Sequence, residues 1–180
     1  MCTTGLLLAA GAGRRMGTPK ALVHDADGTS WLRRAVQALT EGGCDQVYVV
    51  LGAAAAEAVS LLDGLSTQTV LAIDWAEGMG ASLRAGLSAV GADGSVLVSL
   101  VDLPDVGPDV VARVLAVQHE LARAAYDGRP GHPVLIGQGH VEPLIAAVHG
   151  DVGARPYLDA HDVTLVECGD LATGVDIDHR

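Results

Sequence analysis

The chain has 180 residues, 49% of them apolar, which suits one compact domain with a sizeable core and is too short for two independent ones. A net charge of -11, with no long basic run, argues against a nucleic-acid partner, because binding a phosphate backbone needs concentrated positive charge. The longest apolar runs stop well short of the roughly 20 residues that span a bilayer, and no basic region precedes the apolar stretch 6–10, so a cytoplasmic protein without a leader is expected.

Along the chain, strand-like apolar runs alternate with helix-like segments, the pattern of a three-layer α/β/α fold on a mainly parallel, Rossmann-like sheet. Residues 5–10, 46–52, 67–73 and 95–101 are predicted as buried strands, since continuous apolar runs indicate a sheet covered on both faces. Helices are predicted over 30–42, with Ser30 as N-cap, over 53–63 and 81–90, and over 108–124, with Pro108 in the first turn. From residue 125 the rhythm changes to short strands around Tyr126 and over 133–136, a helix at 142–149 and a last strand at 163–167. Cys2, Cys44 and Cys168 are odd in number and form no CxxC pair, so buried or inert thiols are expected rather than a disulfide framework or zinc site.

The turn after the first strand, Gly11 to Lys20, carries the densest chemistry. Its glycines let backbone amides approach an anion and form a nest at the carboxyl edge of the sheet, where open α/β folds bind ligands. Arg14, Arg15 and Lys20, the chain's single lysine, add positive charge that a triphosphate needs on binding and as pyrophosphate departs. Two familiar phosphate motifs fail here. A dinucleotide fingerprint wants glycine where Met16 stands, and a P-loop wants Gly-Lys-Ser/Thr where the chain has Pro19-Lys20-Ala21. The remaining alternative is an ordinary glycine-rich turn with solvated arginines.

Asp102 ends the strand 95–101 and should project from the same edge, where it suits a hard cation such as magnesium or, alternatively, caps the turn that follows. Asp176 and Asp178 lie two apart, so an extended chain points both carboxylates one way; they either complete a metal site or form a solvated acidic tail. Gly78, Gly80 and Ser82 make a turn into a helix whose first amides and Ser82 hydroxyl are positioned for a base or ribose, unless Ser82 merely caps its own helix. Asp74 is a further candidate for the ribose. None of the seven histidines has a zinc-helix spacing, and Trp31 and Trp75 are read as packing residues.

The run Leu8-Ala9-Ala10-Gly11-Ala12-Gly13-Arg14-Arg15-Met16-Gly17-Thr18-Pro19-Lys20 resembles the signature of nucleotidyltransferases with a glycosyltransferase-A-like, nucleotide-diphospho-sugar transferase fold. Further segments in order, 75–87, Leu100 to Pro104, Gly131 to Leu135, Gly150 to Arg155 and 176–178, are similar to the branch containing molybdenum cofactor cytidylyltransferase and molybdopterin guanylyltransferase. The resemblance implies a nucleotide-binding part over about 1–104 and an acceptor-binding part over about 105–180. It implies Mg2+ on Asp102 and on Asp178, with Asp176 as the other choice, although His179 stands where relatives carry threonine. It makes Arg15, Lys20 and Asp102 catalytic, and Leu8, Ala9, Ala10, Gly11, Gly13, Arg14, Arg15 and Lys20 nucleotide-binding, joined by Asp74, Gly80 and Ser82. His132 falls on the acceptor side.

By the same resemblance the reaction is transfer of a nucleoside monophosphate to molybdopterin, with product passed to a molybdoenzyme or its chaperone. Ala10 favours CTP over GTP, since relatives that use GTP tend to carry glycine there. Guanylyl transfer, a sugar-1-phosphate acceptor and a non-catalytic nucleotide- or cofactor-binding module are the alternatives.

Overall fold

The computed structural model describes residues 2–178, so His179 lies outside the described residues. Seven strands form one sheet in the order β3-β2-β1-β4-β6-β5-β7, namely β1 (Thr3–Ala9), β2 (Gln46–Leu51), β3 (Gln68–Leu71), β4 (Ser95–Leu100), β5 (Leu121–Tyr126), β6 (Arg129–Ile136) and β7 (Thr164–Glu167). β6 runs antiparallel to β4 and β5, and every other pairing is parallel. The architecture is therefore the expected mixed, mostly parallel sheet between helical layers.

Alternation along β1 shows why the strand reads as a continuous apolar run. Leu7 and Ala9 face the layer of α1 (Trp31–Glu41), α2 (Ala55–Ser60) and α4 (Pro108–Leu115), whereas Leu6, Leu8 and Ala10 face α3 (Met79–Val90), α5 (Gln138–Ala147) and α6 (Arg155–Asp159). Leu6 and Leu7 are both fully buried, and each contributes about 1.5–3 kcal/mol relative to exposure. Ser30 caps α1, its hydroxyl accepting from the Arg33 amide at 3.4 Å, and Pro108 opens α4.

Several predicted elements are corrected. The helix expected over 108–124 stops at Leu115, and residues 121–126 are β5, whose Ala122, Ala124 and Ala125 are buried and paired with β6 or β7. Alanine favours helix locally, but pairing on both sides overrides that preference. The run 67–73 is an exposed edge strand rather than a buried one, with Leu71 58% and Ile73 86% exposed. Composition does not distinguish an outermost strand from an inner one. α5 starts before the predicted 142 and carries Pro143 inside it, and the short α6 had no predicted counterpart. Cys44 and Cys168 are buried as expected, while Cys2 is exposed. No helix among the described residues is long and apolar enough to cross a membrane.

Candidate active site

β1, β2 and β4 are parallel, so the segments following them gather at one edge. The loop after β1 folds back on itself. Gly13 has φ +58°, and a Cβ there would lie 1.9 Å from the Thr18 carbonyl oxygen, so glycine is required for this closure. The Met16 amide donates to the Gly13 carbonyl at 2.9 Å, and a 3-10 turn at Lys20–Leu22 follows Pro19.

That turn sends Lys20 under the end of β4, where Nζ bonds the carboxylate of buried Asp102 and, at 2.6 Å, Oδ1 of Asp178. Arg15 reaches Asp178 from solvent at 3.2 Å. Burial alone would lower the Lys20 pKa, but the hydrogen bonds and charges of Asp102 and Asp178 outweigh it and raise the pKa above its ordinary value. The carboxy-terminal segment is placed by main chain and side chain together. The Ile177 amide donates to the Asp102 carbonyl at 3.0 Å, and the Thr173 amide and hydroxyl bind the Asp105 carboxylate at 2.6 and 2.5 Å. Asp102, Asp176 and Asp178 consequently offer oxygens within 4.8 Å of one another, an all-oxygen set of the kind that suits a hard divalent cation.

Two cavities adjoin this cluster. The first, about 520 Å³, is walled by Leu8 to Arg14, Lys20 and Asp102 on one side and by Trp75 to Met79, Ser82 and Asp151 on the other. It thus brings together Leu8, Ala9, Ala10, Gly11, Gly13, Arg14, Lys20, Ser82 and Asp102 from the sequence reading. Ala10 is 4% exposed and packs in the core cluster on the α3 side of the sheet, and its carbonyl accepts from the Ala53 amide at 3.0 Å. Arg15 is not on this wall but on Asp178. Asp74 is also off the wall, its carboxylate held by Arg84 at 3.1 Å. Gly80 has a packing reason of its own, because a Cβ there would lie 2.2 Å from the Val152 carbonyl oxygen, and the Ala81 amide donates to Gly150 at 2.9 Å. The Gly150–Val152 loop is thereby docked on the start of α3 and delivers Asp151 to the cavity.

The second cavity, about 540 Å³, shares Leu8, Met79 and Leu100 with the first and has His132, Arg123 and Asp176 on its wall. His132 is partly buried, and the Tyr126 hydroxyl donates to its carbonyl at 2.7 Å. Enclosure by protein pushes the imidazole down to about 4, with Arg123 adding to the effect and Asp176 opposing it. Sequence reasoning missed Asp151, Arg123 and the wall role of Trp75. Asp151 had a signal in the Gly150-Asp151 pair, whereas Arg123 lay in a segment misread as helix.

Comparison with known proteins places the chain in a family. The chain is 38% identical over 190 residues to the nicotine blue oxidoreductase of Paenarthrobacter nicotinovorans, covering 98% of this chain and 92% of that protein. The crystal structure of Rv0371c from Mycobacterium tuberculosis superposes with a TM-score of 0.84 at 29% identity, covering 99% of this chain and 93% of that one. Rv0371c in complex with manganese superposes with a TM-score of 0.80 at 27% identity, over 98% of this chain and 94% of that one. Residues 5–165 match the MobA-like NTP transferase domain, and the chain accordingly belongs to that family of nucleotidyltransferases.

Proposed function

We propose that the protein transfers CMP from CTP to the terminal phosphate of a molybdopterin-type acceptor carrying molybdenum, releasing pyrophosphate. The observation that carries this reading is the meeting of Lys20, Asp102, Asp176 and Asp178 at the corner shared by the two cavities. The triphosphate lies along the glycine loop in the first cavity, and the acceptor enters the second. An acceptor phosphate oxygen forms a bond to the α-phosphorus while the bond from that phosphorus to the bridging oxygen breaks, and pyrophosphate leaves with the electron pair.

The attacking phosphate is ionised near neutral pH and needs no strong base. Lys20, on the wall of the first cavity, stabilises charge that accumulates on the leaving phosphates, and Arg15 would have to swing from Asp178 to join it. Asp102 with Asp178 and Asp176 would hold Mg2+, which when bound neutralises phosphate oxygens and draws the two reactants into line. The Ala10 methyl narrows the floor of the first cavity and favours a pyrimidine. The product then passes to a molybdoenzyme or its chaperone in the cytoplasm.

Incubation with each of the four triphosphates, Mg2+ and molybdopterin, followed by mass analysis, tests base and acceptor together. Molybdopterin cytosine dinucleotide with stoichiometric pyrophosphate is expected. A guanine product would leave the enzyme class intact and remove the CTP assignment. The name of the Paenarthrobacter relative favours a second, redox reading in which the same cleft binds a dinucleotide reductant. That reading predicts oxidation of NADH or NADPH in the presence of nicotine blue, with no pyrophosphate from any triphosphate.

A further inference from the structure

Three separate segments supply the corner where the cavities meet: the turn at Lys20–Leu22, the stretch that follows β4, and the carboxy-terminal segment. The bonds from Lys20 to Asp102 and Asp178 join them in the empty site. Those bonds cannot serve as the scaffold during transfer, because a lysine that turns to a phosphate gives them up. Another contact has to hold the segments in register at that moment.

Arg34, near the start of α1, lies on neither cavity wall. Its guanidinium is used twice: Nη2 pairs with Oδ2 of Asp25, and Nη1 donates to the Pro104 carbonyl at 3.4 Å. The other oxygen of Asp25 accepts from the Trp31 indole at 2.6 Å. The indole and then the guanidinium hold the Asp25 carboxyl below its ordinary pKa. Asp25 is bound in turn to the Lys20 turn through the main chain. The Val23 amide donates to the Lys20 carbonyl at 3.2 Å, the Trp31 amide donates to the Val23 carbonyl at 3.0 Å, and His24 bridges to Ser30.

On the other side, Pro104 stands two residues beyond Asp102, and the next residue, Asp105, holds Thr173 and with it the segment bearing Asp176 and Asp178. Other arginines staple one segment only: Arg33 places both its bonds on 61–63, and Arg113 places its bonds on 167–170. Arg34 spans two. The side chains of Arg34 and Asp25 remain 30% and 31% exposed, so their pairing adds little to global stability, and its geometry is what distinguishes it.

We infer that Arg34 is a positioning residue for nucleotidyl transfer: by bridging Asp25 and the Pro104 carbonyl it keeps the Lys20 turn in register with the stretch bearing Asp102. The inference rests on the transfer reaction proposed above.

The test is a double-mutant cycle in steady-state pyrophosphate release, with Mg2+, molybdopterin and whichever of the four triphosphates the wild type turns over fastest. It compares the wild type, Arg34→Ala, Lys20→Ala and the double variant, with thermal unfolding of each. Arg34→Ala should melt within about 4 °C of the wild type. Its kcat should fall by roughly tenfold to a hundredfold, the scale for a small misplacement of reacting groups, with KM for the triphosphate little changed. In the Lys20→Ala background the same substitution should cost almost nothing, because there is no ammonium left to position. Guanidinium ion added at low concentration should recover part of the rate in Arg34→Ala and leave the wild type unaffected. Asp25→Asn, which keeps an acceptor for the indole and removes the partner charge, should repeat the pattern in weaker form and carries the test if Arg34→Ala does not fold. A loss of equal size in both backgrounds marks a merely structural role and overturns the inference, as does an undiminished kcat in Arg34→Ala. A wild type that releases pyrophosphate from no triphosphate removes the function beneath it, and the positioning role with it.

Discussion

The two cavities are nearly equal in volume, about 520 and 540 Å³, and are built in opposite ways. The first is walled on one side by a glycine-rich loop whose closure depends on Gly13 and on the other by a helix start where Gly78 and Gly80 permit close approach. The second is walled by side chains from β5, β6, α5, α6 and the carboxy-terminal segment, with charge set at one end of an apolar chamber. Backbone amides recognise phosphate whatever is attached to it, whereas side chains discriminate among ring systems. On the proposed function, one cavity takes a common co-substrate and the other a particular acceptor, with the acidic cluster at their shared corner serving both.

Damage to that corner should be most severe because it disables both halves together. Lys20→Ala should leave the fold intact and lower turnover by on the order of a hundredfold or more, as for lost stabilisation of developing charge. Near-wild-type rates in steady-state pyrophosphate release would take Lys20 out of the chemistry. Asp102→Asn keeps the shape of the side chain and removes its charge, so the Mg2+ needed for half-maximal rate should rise sharply; an identical metal titration would return Asp102 to a turn-capping role.

A change confined to the first cavity should be milder and should act on the base alone. Ala10→Gly opens the floor by one methyl group, and steric exclusion of that size shifts selectivity by roughly tenfold to a few hundredfold. Specificity constants for CTP and GTP in both proteins measure it. A wild type that already prefers GTP, or a ratio that does not move, removes the residue basis for CTP.

The effect expected at the second cavity leaves rate aside and is seen in stability. The folded His132 titrates at about 4, below the ordinary value of 6.5, so the unfolded chain binds the proton first as pH falls. Stability from this group is fully present above about pH 6.5 and is lost as pH drops toward 4, by up to about 3 kcal/mol. Urea unfolding across that window should show the loss, and His132→Gln should flatten it. A slope unaltered by the substitution would place the acid sensitivity elsewhere.

The same contrast explains what could be read from the chain. The first cavity was legible because its residues are contiguous and because glycines, a single lysine and a strand-ending aspartate leave a local pattern. Arg14, Lys20, Ser82 and Asp102 all line it. Asp74 is off that wall, since Arg84, ten residues on in α3, takes its carboxylate, and no local spacing announces that. The second cavity was nearly invisible. Arg123 sits in an alanine-rich stretch that propensity assigns to helix, and only pairing with β6 and β7 makes it a strand residue facing the chamber. Arg155 and Asp159, at the two ends of α6, line the same chamber only once that helix is docked.

The segment 173–178 is tied to the rest of the molecule at few points. It is held to the body by the Asp105 carboxylate, the Asp102 carbonyl and the Lys20 ammonium, and much of it is exposed. Such a segment detaches by local opening at far less cost than global unfolding, in the manner of a small independent exchange unit. The amide of Ile177, bonded to the Asp102 carbonyl, should therefore exchange with solvent on the timescale of that opening rather than of the sheet. Each such event would part Asp176 and Asp178 from Asp102, so the acidic corner is expected to disassemble and re-form many times within the lifetime of a single folded molecule.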